Sequence, residues 1–245
     1  GDSQANSVTH DTVDGSISIF SNSPTIWSVT NVTTPPNYNE SVTIEANVTD
    51  DLANVSTVIL SYFDGTTWFN VTMTEEIPPT GLYNATIPAF PWPTQVRYMV
   101  YANNTNGEWS RRPPYGSPPY GYVVADYYPP IIQTFFHFGN TTFREDPECN
   151  ETVLVFANVT SESEDASPVW RVKLNYWDGS PHSVQSDFYP ETGFYTAEIP
   201  ALPWNKQVLY WVYAEDSAKN NVTSGQKSYQ VKDSYGPSIS NLSHA

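Results

Sequence analysis

The chain has 245 residues, and 10 Lys and Arg against 26 Asp and Glu leave a formal charge of −16. That charge repels phosphate backbones and argues against nucleic-acid binding, and no run approaches the ~18 apolar residues a membrane helix needs. The 8 Trp, 17 Tyr and 11 Phe supply more burial than disordered chains carry, and the length suits one large domain or two ordinary ones.

In chain order, residues 1–22 form an N-terminal extension with one alternating segment, Ser16–Phe20, expected as a lone strand. With no preceding domain to pair with, Ile17, Ile19 and Phe20 are candidate interface residues, offered to a neighbour by strand donation. No signal-peptide pattern opens the chain, so the numbering is expected to start within mature protein.

An internal duplication governs the rest. TGLYNATIPAFPWPTQVRYMVYA from Thr80 and TGFYTAEIPALPWNKQVLYWVYA from Thr192 agree at 15 of 23 positions, 112 residues apart. ESVTIEANVT from Glu40 matches ETVLVFANVT from Glu151, and Tyr62-Phe-Asp-Gly matches Tyr176-Trp-Asp-Gly. The boundary repeats as well, Asp126-Tyr-Tyr-Pro-Pro against Asp233-Ser-Tyr-Gly-Pro. Repeat one is therefore placed at 23–126 and repeat two at 127–232. Residues 233–245, with Ile239 as a candidate interface residue, read as a C-terminal strand or the start of a third copy.

Within repeat one the apolar period is two: Val42, Ile44, Ala46 and Val48 point one way, Thr43, Glu45, Asn47 and Thr49 the other. Asp64-Gly65 and its counterpart Asp178-Gly179 are hairpin-turn signals. About seven short strands per repeat, with turns every 8–12 residues and no helical pattern, predict an all-β chain of two tandem immunoglobulin-like sandwiches, with an extra strand at each end.

Late in repeat one, RRPPYGSPPYGY from Arg111 is five residues longer than its counterpart. Proline stiffens such a loop and tyrosine offers contact area at low entropy cost, so Tyr115, Tyr120 and Tyr122 are candidate interface residues, with the two arginines facing an acidic neighbour. In repeat two, Leu154 and Phe156 stand where repeat one has Thr43 and Glu45. If the strand phase holds, both are exposed apolar groups and candidates for an interface.

Asn-x-Ser/Thr triplets begin at Asn31, Asn39, Asn47, Asn54, Asn70, Asn84, Asn103, Asn140, Asn150, Asn158, Asn221 and Asn241. Twenty Asn among 50 Ser and Thr would give about four by chance. The excess points to an exported, heavily N-glycosylated protein. A lone Cys149 excludes an internal disulfide and a Cys-based zinc site; with no basic neighbour to activate it, it reads as inert.

Chemistry is otherwise sparse. His10, His137, His182 and His244 are scattered and read as surface residues, and no nucleophile elbow, metalloprotease or phosphate-loop motif occurs. The acidic run from Glu162 to Asp165 reads as a solvated loop. A Ca2+ site is the alternative use of acids, with Asp126, Asp233, Glu215 and Asp216 near the repeat ends as candidate ligands.

The motifs from the Pro-led first strand through VTIEANVTDD, GLYNATIP and VRYMVYA, with Ala214-Glu-Asp-Ser-Ala-Lys-Asn-Asn after the penultimate strand, resemble the Ig-like (fibronectin-like) repeats of archaeal and bacterial cell-surface proteins. That family includes surface-layer proteins, adhesins and extracellular filament subunits. The resemblance covers residues 23–232 and implies a non-enzymatic structural subunit at the cell surface, with an archaeal source expected. Its partners would be copies of itself or further repeats of a longer chain. An adhesin or carbohydrate-binding module using the Tyr/Pro-rich loop is the alternative.

Overall fold

The computed structural model describes residues 22–236 in full and the backbone of 9–13 and 16–20. Ile239, Asn241, His244 and the side chains of His10, Ile17, Ile19 and Phe20 lie outside what is described. The chain divides into two compact units, residues 1–126 and 127–245.

Among the described residues every regular element is a strand. Strand β1 (Thr9–Val13) pairs antiparallel with β2 (Ser16–Phe20), with Thr9 opposite Phe20 and Val13 opposite Ser16. The segment expected as a lone strand is thus half of a hairpin. The polar THDTV sequence hid its partner, since no apolar alternation marks it.

The first sandwich contains β3 (Thr25–Val29), β4 (Val42–Thr49), β5 (Val55–Phe63), β6 (Trp68–Thr72), β7 (Thr74–Glu75), β8 (Leu82–Ile87), β9 (Gln95–Asn104), β10 (Trp109–Arg112) and β11 (Tyr120–Val123). One sheet runs β3-β4-β8-β7; the other runs β10-β9-β5-β6, with β11 continuing on β9. The second sandwich contains β12 (Ile131–Gly139), β13 (Val153–Thr160), β14 (Val169–Trp177), β15 (Pro181–Gln185), β16 (Asp187–Tyr189), β17 (Phe194–Ile199), β18 (Gln207–Asp216), β19 (Asn221–Thr223) and β20 (Lys227–Gln230). It repeats the same order: β12-β13-β17-β16 against β15-β14-β18-β19, with β20 on β18. All these pairings are antiparallel, and the order is that of an immunoglobulin-type double sheet. The chain is all-β, two tandem sandwiches.

Period-two sequence becomes two-faced strands because successive side chains point to opposite sides. Ile44, Ala46 and Val48 are buried while Thr43 and Glu45 are exposed; Val153, Val155, Ala157 and Val159 are buried between half-exposed neighbours. The Asp-Gly signals are real turns. Gly65 and Gly179 adopt φ of 98° and 115°, open to glycine at little cost, and Asp64 Oδ1 accepts hydrogen bonds from the Thr66 and Thr67 amides at 2.8 and 2.7 Å. The first strand of each sandwich carries a β-bulge at the same place, Ile26/Ser28 and Ile132/Thr134.

Val, Ile, Leu and Ala build most of each core, around one completely buried tyrosine. Tyr98 on β9 and Tyr210 on β18 are completely buried. The Tyr98 hydroxyl donates to the Thr30 carbonyl at 2.8 Å and accepts from the Val32 amide at 3.2 Å. The Tyr210 hydroxyl meets His137 Nδ1 at 2.8 Å. In both units the phenol reaches across the sandwich to the first strand or its continuation. Most tryptophans lie outside these cores: six of the eight, Trp27, Trp68, Trp109, Trp170, Trp177 and Trp204, are exposed.

Tyr98→Phe keeps the ring and removes the hydroxyl, leaving the Val32 amide and Thr30 carbonyl short of a partner. Urea unfolding of the full chain is expected to show a loss of about 1–3 kcal/mol in one transition, and a change below about 0.5 kcal/mol would disprove the bridge.

Candidate functional site

Among the described residues, no single cleft gathers the sequence-predicted ones; they fall on separate surfaces. The Tyr/Pro stretch is only partly a loop, because Arg111 and Arg112 end β10 and Tyr120 and Tyr122 begin β11. Tyr122 is buried in its own core and is corrected from interface to core residue. Tyr120 is half-buried and stacks on Tyr98 with ring centroids 5.4 Å apart. Only Tyr115 stands out, 75% exposed, with the Arg111 guanidinium 4.4 Å from its ring centre.

Both arginines serve the fold of their own unit. Arg111 donates to the Pro113 and Pro114 carbonyls at 2.9 Å each, pulling the loop back on itself. Arg112 donates to the Ile26 carbonyl at 2.8 Å. Arg112 is thus turned onto the first strand of its own sandwich, while Arg111 is held at the loop surface beside Tyr115.

The candidate calcium ligands have other partners. Glu215 is buried, pairs with Arg171, accepts from the Tyr213 hydroxyl at 3.0 Å and lies 3.5 Å from Lys219. Its bond to Arg171, reinforced by the Tyr213 hydroxyl, holds its carboxyl below the usual range. Asp216 is buried and accepts from the Asn220 amide and side chain at 2.9 and 3.0 Å, closing the turn before β19. Asp233 accepts from the Tyr235 amide at 3.2 Å, and Asp126 is buried in the first unit. Among the described residues no three His, Cys, Asp or Glu side chains gather to hold a metal. The sequence marked clustered acids but not their cationic and amide partners, which lie up to 44 residues away.

His137 is not a surface residue. It is buried between the Tyr210 hydroxyl and the Glu145 carbonyl, 2.7 Å from its Nε2, and stacks on Tyr229 at 4.7 Å. Burial pushes its pKa below 6.5. His182 stacks on Tyr176 at 4.4 Å and contacts Asp178 at 3.0 Å. Cys149 packs against the second core, half-buried, and the run from Glu162 to Asp165 lies between β13 and β14.

Sequence reasoning missed the most elaborate polar site, the carboxylate of Glu151. It accepts from the Thr141 amide and hydroxyl at 2.6 and 2.7 Å, the Thr142 amide at 2.6 Å, the Thr142 hydroxyl at 3.0 Å and the Glu148 amide at 3.0 Å. Burial alone would raise its pKa, but these donors outweigh it and hold the carboxyl at about 2. Glu40 makes the equivalent turn in repeat one, accepting from the Asn37 amide at 2.9 Å. The conserved spacing of Glu40 and Glu151 before matching strands was the available signal.

The remaining feature is a surface. Leu154 and Phe156 do face outward from β13, both half-exposed. Phe136 on β12 pairs directly with Phe156, their rings stacked at 5.4 Å. Phe138 lies 5.5 Å from Phe136, and Phe194 on β17 meets Phe136 edge-on at 5.5 Å. Four phenylalanines thus tile the outer face of this sheet. None of the eleven described acceptor asparagines is buried: Asn47, Asn84, Asn103 and Asn158 are half-exposed, and Asn31, Asn39, Asn54, Asn70, Asn140, Asn150 and Asn221 are exposed.

No family model matches the chain, and no curated protein matches it. Among solved structures, the fibronectin(III)-like modules of Clostridium thermocellum CbhA align with 20% identity and a TM-score of 0.31, over 87% of this chain and 100% of that one. The FN1-FN3 domains of chicken CNTN1 align with 18% identity and a TM-score of 0.34, over 85% and 67%. The amphioxus IgVJ-C2 molecule gives 13% identity and a TM-score of 0.43, over 81% and 99%.

Two buried groups of the second unit, His137 and Glu151, titrate in separate windows. A lowered His137 pKa means its stabilisation is complete above about 6.5 and falls away as the unfolded chain takes up its proton. Glu151 contributes fully above 4.5 and loses its contribution as pH falls towards about 2. Urea unfolding from pH 8 to 2 is expected to lose its upper acid-sensitive window in His137→Gln and to show a shallower lower one in Glu151→Gln, where Glu215 still titrates. Unchanged windows in both variants would refute these assignments.

Proposed function

We propose that this chain is a non-enzymatic, heavily N-glycosylated extracellular structural module, a subunit or segment of a cell-surface layer or filament. The observation that carries the reading is the placement of the acceptor triplets. Eleven described acceptors lie outside two packed cores, on strands such as β4, β8 and β13 whose opposite faces are buried. A glycan at any of them enters no core, so the two sandwiches can act as rigid, sugar-coated beads. The inward faces are occupied by Val, Ile, Ala and Tyr packing, and the buried polar groups described above serve turns and strand ends.

Assembly with copies of itself is the favoured use of the surface. Exposed Trp27, Trp109, Trp170 and Trp204 offer apolar contact area on a soluble, acidic exterior. The hairpin of β1 and β2 supplies strand edges of the kind neighbouring subunits can extend. A second reading, an adhesin or carbohydrate-binding module, rests on Tyr115, held exposed beside Arg111 on a proline-stiffened turn.

Electron microscopy of native material and glycan-array binding by the purified chain separate the two. Regular lattices or fibres, with glycopeptides at most acceptor sites, are the expected result. A monodisperse protein that binds sugars, with binding abolished by Tyr115→Ala, would establish the second reading instead.

A further inference from the structure

The two units provide an internal comparison, because equivalent positions on one fold carry opposite chemistry. Register aligns Thr30, Glu45, Thr43 and Leu82 of the first unit with Phe136, Phe156, Leu154 and Phe194 of the second. At Thr30, Thr43 and Glu45 the first face is polar, with the Glu45 amide donating to the Thr30 hydroxyl at 3.0 Å, while Leu82 and exposed Trp27 are its apolar members. The second is a stacked aromatic sheet. Fold stability demands no such change on an outward face, since the same architecture stands in the first unit without it.

Two acceptors bracket the aromatic face, and one of them, Asn158, is the counterpart of Asn47 on the first face. Asn158 lies two residues beyond Phe156 on β13, in the same outward phase, opposite Thr134. Asn140 lies two residues beyond Phe138, exposed, just past the end of β12, where its amide bonds the Thr152 carbonyl. Because β12 and β13 are antiparallel, the two acceptors stand at opposite ends of the ring cluster. Two residues along a strand span about 6.6 Å on one face, a distance that an asparagine side chain and its first sugar cover when they fold back along the strand. The C–H-rich face of a pyranose ring presents polarised hydrogens to the negative face of an aromatic ring. A protein partner would instead have to settle onto this face between two glycans.

We propose that the outer face of the β12-β13-β17 sheet is the seat of the protein's own N-linked sugar: the first residue of the glycan on Asn158 stacks over Phe156 and Phe136, and that on Asn140 over Phe138. The inference rests on the glycosylation proposed above and gives two of the glycans a structural role, covering apolar surface and stabilising the second sandwich. Asn47 in the first unit has Glu45 where Asn158 has Phe156, so its glycan lacks that ring to stack on.

The test joins glycopeptide mass spectrometry of native protein to a double-mutant cycle on the full chain. For the cycle, the protein is secreted from a eukaryotic host and trimmed by endoglycosidase to a single N-acetylglucosamine at each site. Thr160→Ala, which removes the Asn158 acceptor, is expected to lower the second unit's melting temperature by about 4 °C. In a Phe156→Thr or Phe156→Glu background the same change is expected to have no effect, and the unglycosylated proteins from a bacterial host should show no coupling. An unoccupied Asn158 in native protein would overturn both the inference and the glycosylation reading at that residue. An occupied Asn158 with additive melting shifts would overturn the stacking alone and leave the glycosylation standing. Dimerisation of the glycosylated protein that Phe156→Glu abolishes would overturn it in favour of a second copy.

Discussion

Each sandwich depends on a tyrosine that spans it. A fully buried phenol is tolerated only when its hydroxyl is satisfied, so Tyr98 and Tyr210 fix not only packing but the path of the first strand that supplies the partner. In the first unit those partners are the Thr30 carbonyl and Val32 amide; in the second, His137. The two solutions differ chemically but impose the same condition, that β3 or β12 and the chain leaving it stay within reach of β9 or β18. Once this is met, Val, Ile and Ala positions from both sheets close around the ring.

The turn ahead of each second strand follows the same economy. Glu40 and Glu151 reach back to the amide three residues earlier, and Glu151 extends the motif into a five-donor clamp on Thr141, Thr142 and Glu148. A buried carboxylate with this many donors is held ionised. The added polar investment in repeat two coincides with its aromatic outer face. Both features tie down β12, the strand that carries Phe136, Phe138 and His137.

Legibility differed sharply between backbone and site. The duplication, the period-two strands and the Asp-Gly turns were all readable, because alternation and turn chemistry are local and each was written twice. The outward phase of Leu154 and Phe156 was readable for the same reason. The β1 strand was not, since Thr9–Val13 lacks an apolar face. Tyr122 looked like a loop residue because proline and glycine dominate its neighbourhood, yet pairing with β9 turns it inward. Ile26, Arg171 and Tyr210, which bond Arg112, Glu215 and His137, lie 44 to 86 residues away from them, and no local pattern encodes such distances.

The sequence by itself determined the all-β character, the tandem sandwiches, the acceptor triplets and which strand faces are polar, because these follow from side-chain alternation and from repetition. Tertiary structure alone decided which charges are spent internally, which aromatics are core and which are surface, and that four phenylalanines from three strands meet between two acceptor asparagines. Those outcomes depend on cross-strand register, which brings together residues that are remote in the chain.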